Sequence, residues 1–350
     1  MNRPYPLWLK GTTLLLGVIL IFIILIHGKF ILMPLTYAAL IAMLLEPLSQ
    51  RLERLKLNRI AAILISIVLV FVILLGIISL LSMQLVQFAD RLPEANQKIQ
   101  AVSSDILQFM EATFNVSPSR QLEYLEQGLS AMINKSGQYM STALGATTSV
   151  FTTLGLLPFF VFFMMYYKEM YRTFLHKLMQ NNNKLVNDVI DGIQGVTQNY
   201  IIGMLTVITL LAVLNAIGLW ILGMEHVLFF AAFAAILAII PYVGIIIGSL
   251  PAIIFALLFT ESLWNPVGVI AVFAVVQFLE GNFITPNIVG SRVSINPMVA
   301  LLALLIGGEL WGISGMILFV PIVGVLKHLF DQVESLKPLG YLFGDSREYS

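Results

Sequence analysis

The chain contains no cysteine, which removes disulfides, thiolate chemistry and cysteine-held zinc from consideration. Charge is nearly as scarce. Of the 350 residues 11% are charged and 59% hydrophobic, where a soluble domain carries about 25% charged residues. Lys plus Arg and Asp plus Glu balance at 19 each, so no surplus of positive charge points to nucleic acid, and no basic-aromatic run supplies one locally. The four histidines, His27, His176, His226 and His328, are scattered, and none stands at metal-ligand spacing with a second ligand. HExxH, GxSxG, Walker A and dinucleotide fingerprints are all missing. An enzyme, a cofactor-binding protein and an ATP-driven pump are therefore not expected, and no metal site is.

What the chain has in quantity is long apolar runs, which place it among all-α polytopic membrane proteins. Met1–Lys10 precedes a run that resembles a signal peptide, but no small-x-small cleavage site follows, so it reads as a retained first helix. Thr12–Ile26 and Phe30–Leu45, parted by His27-Gly28-Lys29, read as a tight hairpin. The loop EPLSQRLERLKLNR, with Arg51, Arg54, Lys56 and Arg59, marks a cytoplasmic side by the positive-inside rule, as do Lys168, Arg172 and Lys177 further on. Its plainest role is topogenic. Ile60–Ala89 reads as one long tilted span. From Asp90 to Gly145 polar residues return, and apolar positions recur near a 3.6-residue period on either side of Pro118. That pattern predicts an extracytoplasmic helical hairpin, packed on itself or on neighbouring subunits, whose partner the sequence does not name. A fourth span, Ala146–Tyr167, follows. Lys184–Tyr200 is amphipathic and either lies along the interface or feeds into the next span.

The second half is interrupted. AIIPYVGIIIGSLPA carries Pro241, Tyr242, Gly244 and Pro251, and LLIGGELWGISGMILFVPIVG carries Gly307, Gly308 and Pro321. Each predicts a broken, re-entrant hairpin, and paired interruptions of this kind point to a transporter binding site. Between them FLEGNFITPNIVGSRVSINP places Glu280, Asn282, Asn287, Arg292 and Asn296 among Gly281, Pro286, Gly290 and Pro297. Proline removes a backbone donor and clashes one turn back, so a break in the helix is expected here. The layout is thus a series of hydrophobic helices with two broken hairpins and one extramembrane insert: residues 1–89 scaffold helices, 90–145 the external hairpin, 146–200 a fourth span with an amphipathic helix, 201–330 a transport unit, and 331–350 a cytoplasmic tail.

PYVGIIIGSLPA, QFLEGNFITPNIVGSRVSINP and LLALLIGGELWGISGMILFVPIVGVLK resemble the AI-2E family, the autoinducer-2 exporter or PerM-like permeases. The likeness is strongest across Lys184–Asp331. It implies about eight hydrophobic helices and secondary transport by a homo-oligomer, pentameric in the family, in the bacterial cytoplasmic (inner) membrane. Arg3 and Lys10, by the positive-inside rule, and the short polar tail beyond Lys327 read as cytoplasmic termini. Some members are linked to autoinducer-2 export; others resemble sodium/proton antiporters. A non-transporting scaffold or sensor is the third reading.

The chemistry a transport site needs is present in the same stretches. Gln277, Asn282, Asn287 and Asn296 offer donors and acceptors to a small polar solute. Glu280 and Glu309 are candidates to carry a proton or sodium, and glycines let the backbone come close to a solute. Plainer readings stand beside these. Glu280 and Arg292 form a structural ion pair, Gly308, Gly312 and Gly315 serve helix packing, and Trp264 and Trp311 anchor at the interface.

Overall fold

The computed structural model describes residues 6–114, 155–178, 183–240, 243–260, 262, 264–290 and 295–344. These are helical almost throughout: α1 Leu7–His27, α2 Lys29–Arg54, α3 Arg59–Phe114, α4 Gly155–Tyr166, α5 Lys168–Leu178, α6 Asn183–Ile221, α7 Val227–Leu237, α8 Val243–Phe259, α9 Trp264–Leu279, α10 Pro297–Gln332 and α11 Lys337–Phe343. Five segments, 29–54, 59–84, 184–221, 264–289 and 297–332, are long and apolar enough to cross a membrane, and four shorter apolar helices accompany them. The all-α polytopic expectation is met. Pro241, Tyr242, Arg292 and the second arm of the external hairpin lie outside the described residues. Its first arm continues α3 without interruption to Phe114.

The chain divides into two compact units, one of residues 1–67, 153–200 and 293–350, the other of 68–152 and 201–292. In the first unit the expected hairpin at His27–Lys29 is instead a bend. Gly28 N–H still bonds Ile24 O, and its φ of −84° is helical, but its ψ of 1° is not. One such residue deflects a helix without reversing it. The bend leaves the Leu25 carbonyl without its usual intrahelical donor, and the Trp311 indole N–H donates to it at 2.9 Å. A side chain entering the helical ladder is a recognised cause of kinks. Trp311 is therefore buried, not the interfacial anchor the sequence offered. Trp264 is exposed at the start of α9. A second vacancy arises at Pro47, which has no N–H for Met43 O; the Gln198 side chain donates there at 2.7 Å. Trp311→Phe keeps a ring in place but orphans the Leu25 carbonyl. It is expected to lower stability by about 1–3 kcal/mol, read as an earlier unfolding midpoint in detergent.

α10 is the second broken hairpin. Gly312, at φ 62° and ψ −142°, interrupts it, and the arms 297–311 and 313–332 fold back on each other. A Cβ on Gly307 would come 2.4 Å from Gly315 O, and one on Gly308 2.7 Å from the Met316 side chain. Gly308 and Gly315 thus serve packing, as the plainer reading had it, and Gly307 does so too; Gly312, which that reading also gave to packing, has nothing within 4 Å and serves the reversal instead. The arms carry Ala303, Leu310, Trp311, Leu318 and Phe319 into a core completed by Leu25, Met33, Tyr37 and Leu40, and Tyr37 shares a side-chain hydrogen bond with Ser314. The feet of the hairpin are clipped together: Asn296 N–H donates to Phe343 O at 2.9 Å, and Ile295 and Gly344 form a β-bridge. On the returning arm, buried Lys327 pairs with Asp331 at 2.9 Å.

In the second unit α7 and α8 form the other broken hairpin, turning near Gly244, where a Cβ would strike Leu237 O at 1.7 Å. Gly248 lies against the backbone of Ala234. Phe229, Phe230, Ala252, Phe255, Val269 and Phe273 form the apolar centre of α7, α8 and α9. The amphipathic stretch 184–200 does feed directly into a span, since α6 is continuous from Asn183 to Ile221. Beyond that stretch α6 packs along α9, with Gly218 against Val272 and with Val207 and Leu211 beside Val276, and Gly203 lies against Ile288 and Val289 further on.

Candidate functional site

Where the sequence predicted a break, the helix widens instead. After α9 the chain continues as π-helix over Glu280–Ile284 and again over Pro286–Gly290, with Thr285 N–H bonding Glu280 O five residues back. Proline and glycine are accommodated because a π turn shifts each hydrogen bond by one residue, and such bulges recur at functional sites. The segment is held from one side by α6. A Cβ on Gly203 would stand 3.2 Å from Ile288 O, and Val207, Leu211, Ala235 and Val276 pack with Ile284, Ile288 and Val289.

The widening has a chemical result. Residues five apart diverge around an α-helix but nearly align on a π turn, so the Thr285 hydroxyl reaches one Glu280 carboxylate oxygen and donates to it. The other oxygen accepts from Gln277 Nε2 at 2.8 Å. Glu280 is half-buried within a segment apolar enough to span a membrane. A carboxylate there is costly and tends to be functional. Hydrogen-bond donors offset part of its lost hydration. Thr285 was missing from the sequence reading, because only the π register brings it to Glu280. The Thr285-Pro286 pair, beginning five positions after Glu280, was the available signal.

The remaining candidates divide. Asn282 and Asn287 are exposed and donate to carbonyls one turn back, Phe278 O at 2.8 Å and Phe283 O at 2.7 Å. Gly281 and Pro286 are exposed within the π run, and Gly290 closes it. Asn296 caps α10, accepting from Val299 N–H at 2.9 Å and donating to Leu342 O at 2.8 Å, with Pro297 in the first turn. Glu309 is exposed on the outgoing arm of α10, and Gly307 and Gly308 line the turn region of that hairpin. These belong to the first unit, whereas Gln277, Glu280 and Thr285 belong to the second. Pro251 and Pro321 are buried inside α8 and α10. Among the described residues no group of three or more His, Asp or Glu side chains is placed to hold a metal.

The sequence profile of the AI-2E family transporter matches residues 14–335. Bacillus subtilis YueF, 28% identical, matches over 88% of this chain and 85% of its own length. Escherichia coli YhhT, 27% identical, matches over 91% and 90%. Bacillus subtilis YrrI is 35% identical across 51% of this chain, and the chain spans 50% of that relative. All three carry the name "Putative transport protein".

Proposed function

Because the chain belongs to the AI-2E transporter family, we propose that it is a secondary transporter exporting small polar organic molecules of the autoinducer-2 type by alternating access. The observation that carries this reading is the Gln277–Glu280–Thr285 cluster, a half-buried carboxylate with two donors on the π-widened part of a membrane helix. A solute rich in hydroxyl groups can replace those donors one for one as it sheds water. Paired interruptions of membrane segments, as in the two broken hairpins, are a second support for transport. Residues 201–330 are proposed as the transport segment and the early helices as the scaffold. The protein is placed in the bacterial inner membrane as a homo-oligomer, pentameric by family, with both termini cytoplasmic. The basic residues 51–59 and 168–177 support that orientation.

The same carboxylate favours a second reading, monovalent cation/proton antiport, since Glu280 has hydroxyl and amide oxygens beside it. Everted vesicles carrying the protein separate the two. Export predicts accumulation of labelled autoinducer-2 above empty vesicles and no sodium-dependent collapse of a preset pH gradient. Collapse on adding sodium, with no autoinducer-2 uptake, selects the antiporter. If neither occurs, both substrate assignments fail.

A further inference from the structure

We propose that α5 is an anionic-lipid-binding helix, lying in the headgroup layer of the bilayer at the basic end of the first unit. The boundary is marked by α4, which ends in a ring cluster: Phe162 stacks on Tyr166 at 5.7 Å, and Tyr166 meets Tyr167 edge to face at 5.0 Å. Tyrosine collects where a span leaves the hydrocarbon, because its ring is apolar and its hydroxyl is not. The Arg59 guanidinium lies 5.7 Å over the Tyr166 ring and donates to the carbonyls of Met165 and Tyr166. α5 starts two residues after α4 ends, so its first turn sits at this boundary.

The helix is sorted cleanly into two faces. At 3.6 residues per turn Met170, Tyr171, Phe174, Leu175 and Leu178 share an arc of about 140°, and Lys168, Glu169, Arg172, Thr173, His176 and Lys177 fill the rest. No side chain of α5 is buried. Met170 is 56% exposed, Phe174 61% and Leu178 65%. An apolar arc left this open beside a membrane span is covered by hydrocarbon.

The polar surroundings select the lipid. Lys168 pairs with Glu46 and Arg172 with Asp191, the latter at 3.7 Å. Exposed Arg51, Arg54, Lys56 and Lys177 have no ion-pair partner among the described residues. The Lys168–Glu46 pair and the Arg59 bonds tie the ends of α2, α3, α4 and α5 to this one place. Glu53 and Glu169 offset the four cations only in part. Phosphates of an anionic leaflet balance the surplus, whereas a second copy bringing the same basic end would add like charges.

The absence of cysteine makes the test clean, since one introduced cysteine carries the only spin label. A nitroxide at Phe174→Cys, in vesicles containing phosphatidylglycerol, is expected to be reached by oxygen and shielded from a water-soluble nickel complex. One at Thr173→Cys should show the reverse. Met170→Cys serves if the Phe174 variant folds poorly. Separately, Arg54→Gln with Lys177→Gln should lower the preference for spin-labelled phosphatidylglycerol over phosphatidylcholine, by about fivefold per cation removed. Nickel access equal at positions 173 and 174 overturns the proposal. So does broadening between labels at 174 on two copies, or an unchanged lipid preference.

Discussion

Glu280→Gln should reduce transport to the level of empty vesicles while leaving expression unchanged and costing no more stability than one lost hydrogen bond, about 1–3 kcal/mol. The substitution keeps the shape of the side chain, removes its charge and turns one of its two acceptors into a donor. Both carboxylate oxygens now accept hydrogen bonds, from Gln277 and Thr285, and bonds to an ionised acceptor are roughly twice as strong as neutral ones. An amide in that place must present an N–H to one of two donors, so one contact is lost outright. If the carboxylate couples solute movement to a proton or cation, the neutral variant has nothing to couple. Thr285→Val removes one donor and leaves the charge, and about 1.5 kcal/mol for such a bond corresponds to roughly a tenfold slower rate. Uptake by reconstituted vesicles reads both. A Glu280→Gln protein that transports at the wild-type rate would make the cluster a structural feature of the π turn and nothing more.

Gly312→Ala and Gly315→Val are expected to be the most damaging single changes to the fold. At φ 62° and ψ −142° the backbone is in a region that is nearly closed to residues with a Cβ, at a cost of about 1–3 kcal/mol. The reversal cannot relax elsewhere, because its neighbours are fixed: Trp311 to Leu25 O, and Ser314 to Tyr37. At Gly315 a Cβ would stand 1.8 Å from Gly307 O, so the two arms must part along their length and expose Leu318 and Phe319. Losses beyond about 4 kcal/mol belong to mechanisms of this severity. Gly195→Ala is the control, since a Cβ there meets nothing within 4 Å and alanine favours a helix. Fluorescence-detected size exclusion of tagged variants should show a monodisperse peak for Gly195→Ala and aggregate or no protein for Gly315→Val. A well-folded Gly315→Val would mean that the arms of α10 do not touch.

The elements most legible in the sequence were those set by composition and by repeated interruption. Apolar runs announced the spans, and the glycines at 307, 308, 312 and 315 announced the folded-back hairpin. Which glycine turns the chain and which lets the arms meet depends on φ and on distance, and neither is written in a one-dimensional pattern. At His27–Lys29 a polar triplet suggested reversal, but one glycine with a single altered torsion bends the helix and nothing more. Its missing hydrogen bond is met by Trp311, almost the whole chain away. At Glu280 the proline and glycine were read correctly as incompatible with regular α-helix. The chain answered by changing helix type, and the threonine that this brought to the carboxylate could not be found by counting in steps of 3.6.

Clipping Ile295 and Asn296 to Phe343 and Gly344 also settles a question of parity. A segment of 36 residues read straight would cross the bilayer once and exchange its sides. Returned to its own starting point, it counts as an even passage and exchanges nothing. Topology schemes that tally α10 as a single crossing therefore put Ile295 and Gly344, which are bridged neighbours, in different compartments.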